Sequence, residues 1–185
     1  YSEEETKVLM LNKQAGVICS NKDEEGRKSV FDFLPENTRW VMVGRLDLNS
    51  AGLLLFTNNG DLANKLMHPS SEIDREYAVR VLGRVSDEDI KQLISGIELE
   101  DGFAKFHKVT IGGGDGANRW YHVVVREGRK REVRRLWEAL DFKVSRLIRT
   151  RFSDIRMPDN LRANQSELLK PKQVQSLLNS VNLLP

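Results

Sequence analysis

One cysteine, Cys19, is all the sequence offers for disulfide chemistry, so no internal bridge can form and a reducing, cytoplasmic setting is expected. Histidine is nearly as scarce. His68, His107 and His122 show no metal-ligand spacing with that cysteine, and no zinc or other metal site is expected. No apolar run approaches the ~18 residues a membrane-spanning helix needs. The opening residues, Tyr1 to Lys7, are acidic and polar, unlike a secretory signal. They begin on tyrosine rather than methionine, so a removed upstream segment is expected. The chain has neither a P-loop nor a GxGxxG after a strand, which argues against nucleotide-driven chemistry. It also lacks internal repeats and long linkers.

What is present is a chain of 185 residues, 39% apolar and 30% charged. That is enough for a packed core in one domain, or in two small lobes that share one. The formal net charge is only +2, but it is unevenly spread. Between Arg126 and Arg151 there are ten basic residues and four acidic ones, so the remainder of the chain is net negative. A concentrated basic stretch suits a polyanionic partner. It equally suits a solvated helix laced with ion pairs, and composition alone does not choose.

Strands and helices alternate irregularly. Val8 to Leu11, Trp40 to Val43 and Leu53 to Phe56 read as strands, the last a continuous apolar run of the kind found in buried strands. Ser29 to Leu34 reads as a short helix. Asp61 is expected to start a helix ending before Pro69. Tyr77, Val79 and Val81 alternate along a half-buried strand. Ser86 to Asp89 has the form of a capping box. Phe103 to Ile111 and Trp120 to Val125 read as strands around a glycine-rich turn, Gly112 to Gly116. Val133, Leu136, Trp137 and Leu140 form one apolar stripe of a helix from Arg131 to Leu140. A strand from Val144 to Phe152 and a helix from Pro171 to Val181 complete the series. The class is α+β with a mixed, mostly antiparallel sheet.

Four segments carry chemistry. In the first, an apolar strand delivers Asp47 onto a loop, and a second buried strand anchors the far side of it. A carboxylate held in this way is positioned as catalysis requires, although turns favour aspartate for their own reasons. The second is Arg75-Glu76-Tyr77-Ala78-Val79, where the tyrosine is either an aromatic face for a base or an ordinary strand-edge residue. The third runs from Gly128 to Leu136 and includes Arg129, Arg131, Arg134 and Arg135. In it, Arg131 and Arg135 are four apart and are expected on one helix face, and Glu132 is expected to partner a neighbouring arginine. The fourth is Val144 to Phe152, with Leu147 apolar and Arg149 and Arg151 alternating on one face.

The run GRLDLNSAGLLLFTNNGDLANKLMHP, together with REYAVRV and GRKREVRRLWEAL, resembles the RsuA/RluB family of pseudouridine synthases. The resemblance extends from about Lys7 to Ile155, and within the family the large-subunit branch is the nearest pattern. It implies the pseudouridine synthase fold, with helices flanking the sheet and a central RNA-binding cleft. A smaller lobe is expected over about 7–66 and a larger one over about 67–185. Asp47 is the implied catalytic residue. Tyr77 is implied to stack on a flipped uracil, Arg134 to pair with the aspartate, and Leu147 to pack under the base. Arg45 either contacts the nucleotide's phosphate or props the loop. Arg129, Arg131, Arg135, Arg149 and Arg151 are the implied RNA contacts. Many relatives carry His-Gln where this chain has Arg131-Glu132, and often Gly where it has Ser153.

The implied reaction is isomerisation of one uridine, in a stem-loop near the peptidyl-transferase centre of 23S rRNA, at position 2605. No cofactor is implied, and a cytoplasmic monomer is expected. Full-length relatives add an N-terminal S4 RNA-binding domain, which this chain is expected to lack. Three rival readings stay open: a synthase for another rRNA uridine, a non-catalytic ribosome-assembly factor, and a metal-dependent nuclease that would pair Asp47 with Asp61.

Overall fold

The computed structural model describes residues 5–20 and 25–183. Its strands are β1 (Val8–Lys13), β2 (Val41–Val43), β3 (Ala51–Thr57), β4 (Arg75–Leu82), β5 (Ile97–Leu99), β6 (Gly102–Ala104), β7 (Lys108–Asp115), β8 (Asn118–Val125), β9 (Lys143–Phe152), β10 (Ile155–Arg156) and β11 (Ser166–Leu168). The helices are α1 (Gly60–Met67), α2 (Asp87–Ser95), α3 (Glu132–Glu138) and α4 (Pro171–Ser180). Nine strands form one sheet in the order β11-β1-β3-β9-β4-β8-β7, with β2 added to β3 and β10 to β9. Only β3 and β9 run parallel, so the sheet is mixed and mostly antiparallel, as the alternating pattern implied.

The apolar runs explain the layers. Alternate residues of a strand face opposite sides, so a continuous apolar run covers both faces. In β1 and β3, Val8, Met10, Leu53 and Leu55 face one core with Leu62 and Leu66 of α1 and Val174 and Leu177 of α4. Their neighbours Leu9, Leu11, Leu54 and Phe56 face a second core with Val17, Cys19 and Leu46. A third core lies under β4, β8 and β9, where Val79, Val123 and Leu147 meet Leu136 and Trp137 of α3. Because β11 pairs with β1 and α4 enters the first core, the C-terminal segment returns to the N-terminal half.

The two halves meet where β3 touches β9, through Ala51 opposite Ile148 and Gly52 opposite Arg149. A Cβ on Gly52 would lie 2.2 Å from the Arg149 carbonyl oxygen, and the residue has φ +109°. Only glycine permits that approach.

Several boundaries differ from the sequence expectation. Asn59, not Asp61, caps α1: its side chain accepts from the Leu62 amide, and Asp61 sits in the first turn. The Ser29–Leu34 segment is a single 3-10 turn, Val30–Phe33. Phe103 to Ile111 is broken between β6 and β7, and Gly112 to Gly114 lie inside β7 at a register shift rather than in the turn. The capping box at Ser86 and the proline start of α4 form as the residues imply.

Candidate active site

A cleft of about 1150 Å³ opens between the two halves of the sheet. Asp47 lines it from the loop joining β2 to β3, half-buried. Gly44, at φ +76°, turns the chain out of β2 and into this loop. On the far side Ser50 is buried and its amide donates to the Asp47 carbonyl, closing a turn. The Gly16 amide donates to the Leu48 carbonyl, which ties the loop to the segment after β1.

The firmest hold on that loop comes from Lys13, a residue the sequence did not single out. It is fully buried at the end of β1, and its Nζ donates to the carbonyls of Ser50 at 2.6 Å, Asp47 at 3.1 Å, Gln14 at 3.2 Å and Leu48 at 3.3 Å. Burial pushes its pKa below the usual lysine range, and the Cys19 and Asp47 side chains act against that. A lysine at a strand end is normally solvated, so nothing in VLMLNK marked it. Its role exists only because the β2–β3 loop folds over it.

Arg134 reaches the same loop from α3, almost completely buried. Its Nη2 donates to the Asn49 carbonyl at 3.2 Å, and its Nε is buried without a partner. No hydrogen bond or ion pair joins this guanidinium to the Asp47 carboxylate, and the donation that is made goes to the backbone two residues further on. Burial lowers the Arg134 pKa and nearby Arg131 adds to that, while the field of Asp47 works in the opposite direction. Among the described residues no hydrogen bond or ion pair occupies the Asp47 carboxylate, so its oxygens are available to a ligand.

Tyr77 and Leu147 line the cleft beside Asp47. Tyr77 follows a register irregularity between Glu76 and Tyr77, the kind of feature that re-aims a side chain. Arg149 pairs with Tyr77 across β4 and β9. It is buried, donates through Nε to the Leu53 carbonyl at 2.8 Å, and leaves Nη2 without a partner. Arg75, also buried and lining the cleft, joins it over the Phe152 ring, at 5.2 Å and 5.3 Å from the centroid respectively.

The remaining arginines separate by what already holds them. Arg45 and Arg131 are exposed at the cleft, the latter in a left-handed conformation at φ 54° just before α3, with Glu138 only distantly paired at 3.9 Å. Lys130, between Arg129 and Arg131, also lines the cleft. Arg129 lines it too, but Glu127, Glu132, Asp101 and the Phe103 carbonyl hold its guanidinium. Arg135 does not share a face with Arg131 toward the cleft: Asp101 holds it at 2.6 Å and 3.1 Å. Arg151 is tied to Glu76 and to the Ser153 carbonyl, away from the cleft, while Arg149 is buried within it. Ser153 adopts φ 58°, a conformation glycine takes without strain.

Comparison with known proteins gives this geometry a family. The RNA pseudouridylate synthase family matches residues 7–139, well over half of the chain. The chain belongs to that family. A pseudouridylate synthase of known crystal structure superposes with a TM-score of 0.83 at 26% identity, over 95% of this chain and 75% of that one. The ribosomal large subunit pseudouridine synthase B of Yersinia pestis is 57% identical over 157 residues, covering 84% of this chain and 49% of the relative. Its Escherichia coli (strain K12) counterpart is 50% identical over 186 residues, covering 100% of this chain and 64% of the relative. The chain thus spans about half to two thirds of the length of those relatives. The archaeal box H/ACA sRNP Nop10-Cbf5 complex shares the fold, with a TM-score of 0.61 at 20% identity.

Proposed function

We propose that this chain isomerises a uridine of large-subunit ribosomal RNA to pseudouridine, with Asp47 as the essential carboxylate. The observation that carries the reading is a carboxylate with no hydrogen bond or ion pair among the described residues, in a 1150 Å³ cleft shared with an aromatic and an aliphatic side chain, Tyr77 and Leu147. Small-molecule sites span about 300–1,000 Å³, so this cleft has room for a nucleotide and its flanking phosphates. The named activity of the large-subunit synthases supports the same reading.

In the reaction the uracil N1–C1′ bond breaks, the base turns, and a C5–C1′ bond forms. The proton lost from C5 is matched by one gained at N1, so the step balances without a second substrate. Asp47 acts at the ribose. Tyr77 and Leu147 hold the everted base between an aromatic face and an aliphatic floor, and such stacking is worth about 1–3 kcal/mol. Everting the base costs a few kcal/mol, which phosphate contacts from Arg45, Lys130 and Arg131 offset. Lys13 and Arg134 fix the backbone that carries Asp47. The substrate is a stem-loop of 23S rRNA, and the modified position is read by mapping pseudouridine in rRNA from cells lacking this gene.

Asp47→Asn is expected to abolish tritium release from a C5-tritiated uridine stem-loop while RNA affinity by fluorescence anisotropy stays within about threefold. Turnover retained by the variant would remove Asp47 from its role. Binding without any release from the unmodified chain would favour the non-catalytic assembly factor. Asp61, which a nuclease would need beside Asp47, lies in the first turn of α1 and outside the cleft.

A further inference from the structure

Glu132 opens α3 on the cleft wall with a side chain only 2% exposed. Its Oε2 accepts from Arg129 Nε at 3.3 Å, and its Oε1 is buried without a partner. Glu127, near the start of the loop between β8 and α3, places Oε1 3.2 Å from the same Arg129 Nε. Two carboxyl groups therefore converge on a single N–H. Nη1 of Arg129 faces the Asp101 carboxylate and carbonyl, and Nη2 donates to the Phe103 carbonyl. The further charges facing the pair are Arg75 of β4, which donates to the Ile73 carbonyl, and Arg135 of α3, which Asp101 holds. Arg75 acts on both glutamates through its field alone, and among the described residues no cation other than Arg129 forms an ion pair with either of them. The two glutamates lie within hydrogen-bond reach of each other, and burial, then Glu127, push the Glu132 carboxyl up to about 8.

We propose that Glu127 and Glu132 share one proton, and that this proton fixes the Gly128–Arg131 loop against the β5–β6 hairpin so that Lys130 and Arg131 stand at the cleft rim. Glu132 is then a positioning residue for RNA, an extension of the function proposed above. With the proton present, the pair is a charge-assisted O–H···O bridge across the base of the loop. Once the proton is lost, the buried Glu132 charge and the partly exposed Glu127 charge share one guanidinium N–H, and repulsion between them loosens the loop. The sign follows from a raised pKa. The folded protein holds this proton more tightly than the unfolded chain, so the stabilisation is full below pH ~4.5 and is lost as pH rises through about 8.

The test compares the unmodified chain with Glu132→Gln, which keeps a neutral hydrogen-bonding group of the same shape. Binding of a uridine-containing stem-loop is measured by anisotropy from pH 6 to 10. Affinity of the unmodified chain is expected to fall about tenfold per pH unit above the titration, while that of Glu132→Gln stays flat. Any alkaline loss common to both belongs to the RNA. Carboxyl ¹³C NMR reads the proton directly: one resonance titrating near pH 8 is expected in the unmodified chain and absent in Glu132→Gln. A Glu132 resonance titrating in the ordinary carboxylate range, or identical affinity profiles for the two proteins, overturns the proposal. Neither readout depends on pseudouridine formation, so a chain that binds RNA with this profile but releases no tritium would defeat the proposed reaction alone.

Discussion

At the scale of single residues, the loop that carries Asp47 depends on a lysine that does not line the cleft. Lys13 supplies the donors for four carbonyls, three of them in the Asp47 loop. Methionine at this position has similar length and no donors. Each buried carbonyl left unpaired costs about 1–3 kcal/mol, though partial relaxation of the loop keeps the total near 3–4 kcal/mol. Lys13→Met is therefore expected to lower unfolding free energy by about 3 kcal/mol in urea melts, and to slow tritium release further in the fraction that stays folded. An unchanged denaturation midpoint would show that the loop holds itself. Arg134 has a comparable position on the opposite side, where its grip on the Asn49 carbonyl fixes the backbone rather than the carboxylate. The sequence pointed to Arg134 through the motif it sits in; the atom it holds follows from how α3 lies against the loop.

At the scale of elements, the join between β3 and β9 sets the separation of the cleft walls. Asp47 precedes β3, and Leu147 and Arg149 belong to β9, so their spacing is inherited from one short parallel contact. Gly52→Ala forces a methyl group against the Arg149 carbonyl and strains a positive φ. A destabilisation of about 3 kcal/mol or more is expected, with loss of turnover beyond what unfolding explains, read by calorimetry and by tritium release at a temperature where the variant is folded. Wild-type stability in this variant would mean that the two strands can part without cost. The motif containing Gly52 was legible from the sequence, but the reason for its glycine was not, because the clashing carbonyl lies about a hundred residues further along the chain.

At the scale of the molecule, the basic stretch from Arg126 to Arg151 divides between residues that are already held and residues that are not. Arg129, Arg135 and Arg151 are held by carboxylates, and Arg134 is buried. Arg45, Lys130 and Arg131 are exposed at the cleft, and the function proposed above gives them the phosphates. Each phosphate contact contributes a slope of about −0.7 to −0.9 in log K against log salt. Three or four contacts predict a slope near −3, measured by anisotropy between 50 and 250 mM salt. A slope near −7 would show that the paired arginines release their carboxylates and turn to the RNA. The ion-paired reading of this stretch thus holds for Arg126, Arg129, Arg135 and Arg151, and the slope tests the other reading for the exposed residues.

By itself the sequence determined the class of fold, the buried strands, the stripe of α3 and the motif that places Asp47 on a loop between two strands. These are local properties, set by periodicity and by residues adjacent in the chain. Only the tertiary structure decided which charges face the cleft, that Lys13 is buried under the Asp47 loop, and that Glu127 and Glu132 converge on Arg129. Each of those depends on which segments distant in sequence come within a few ångströms of one another, and the strength of a charge interaction changes steeply with burial and distance.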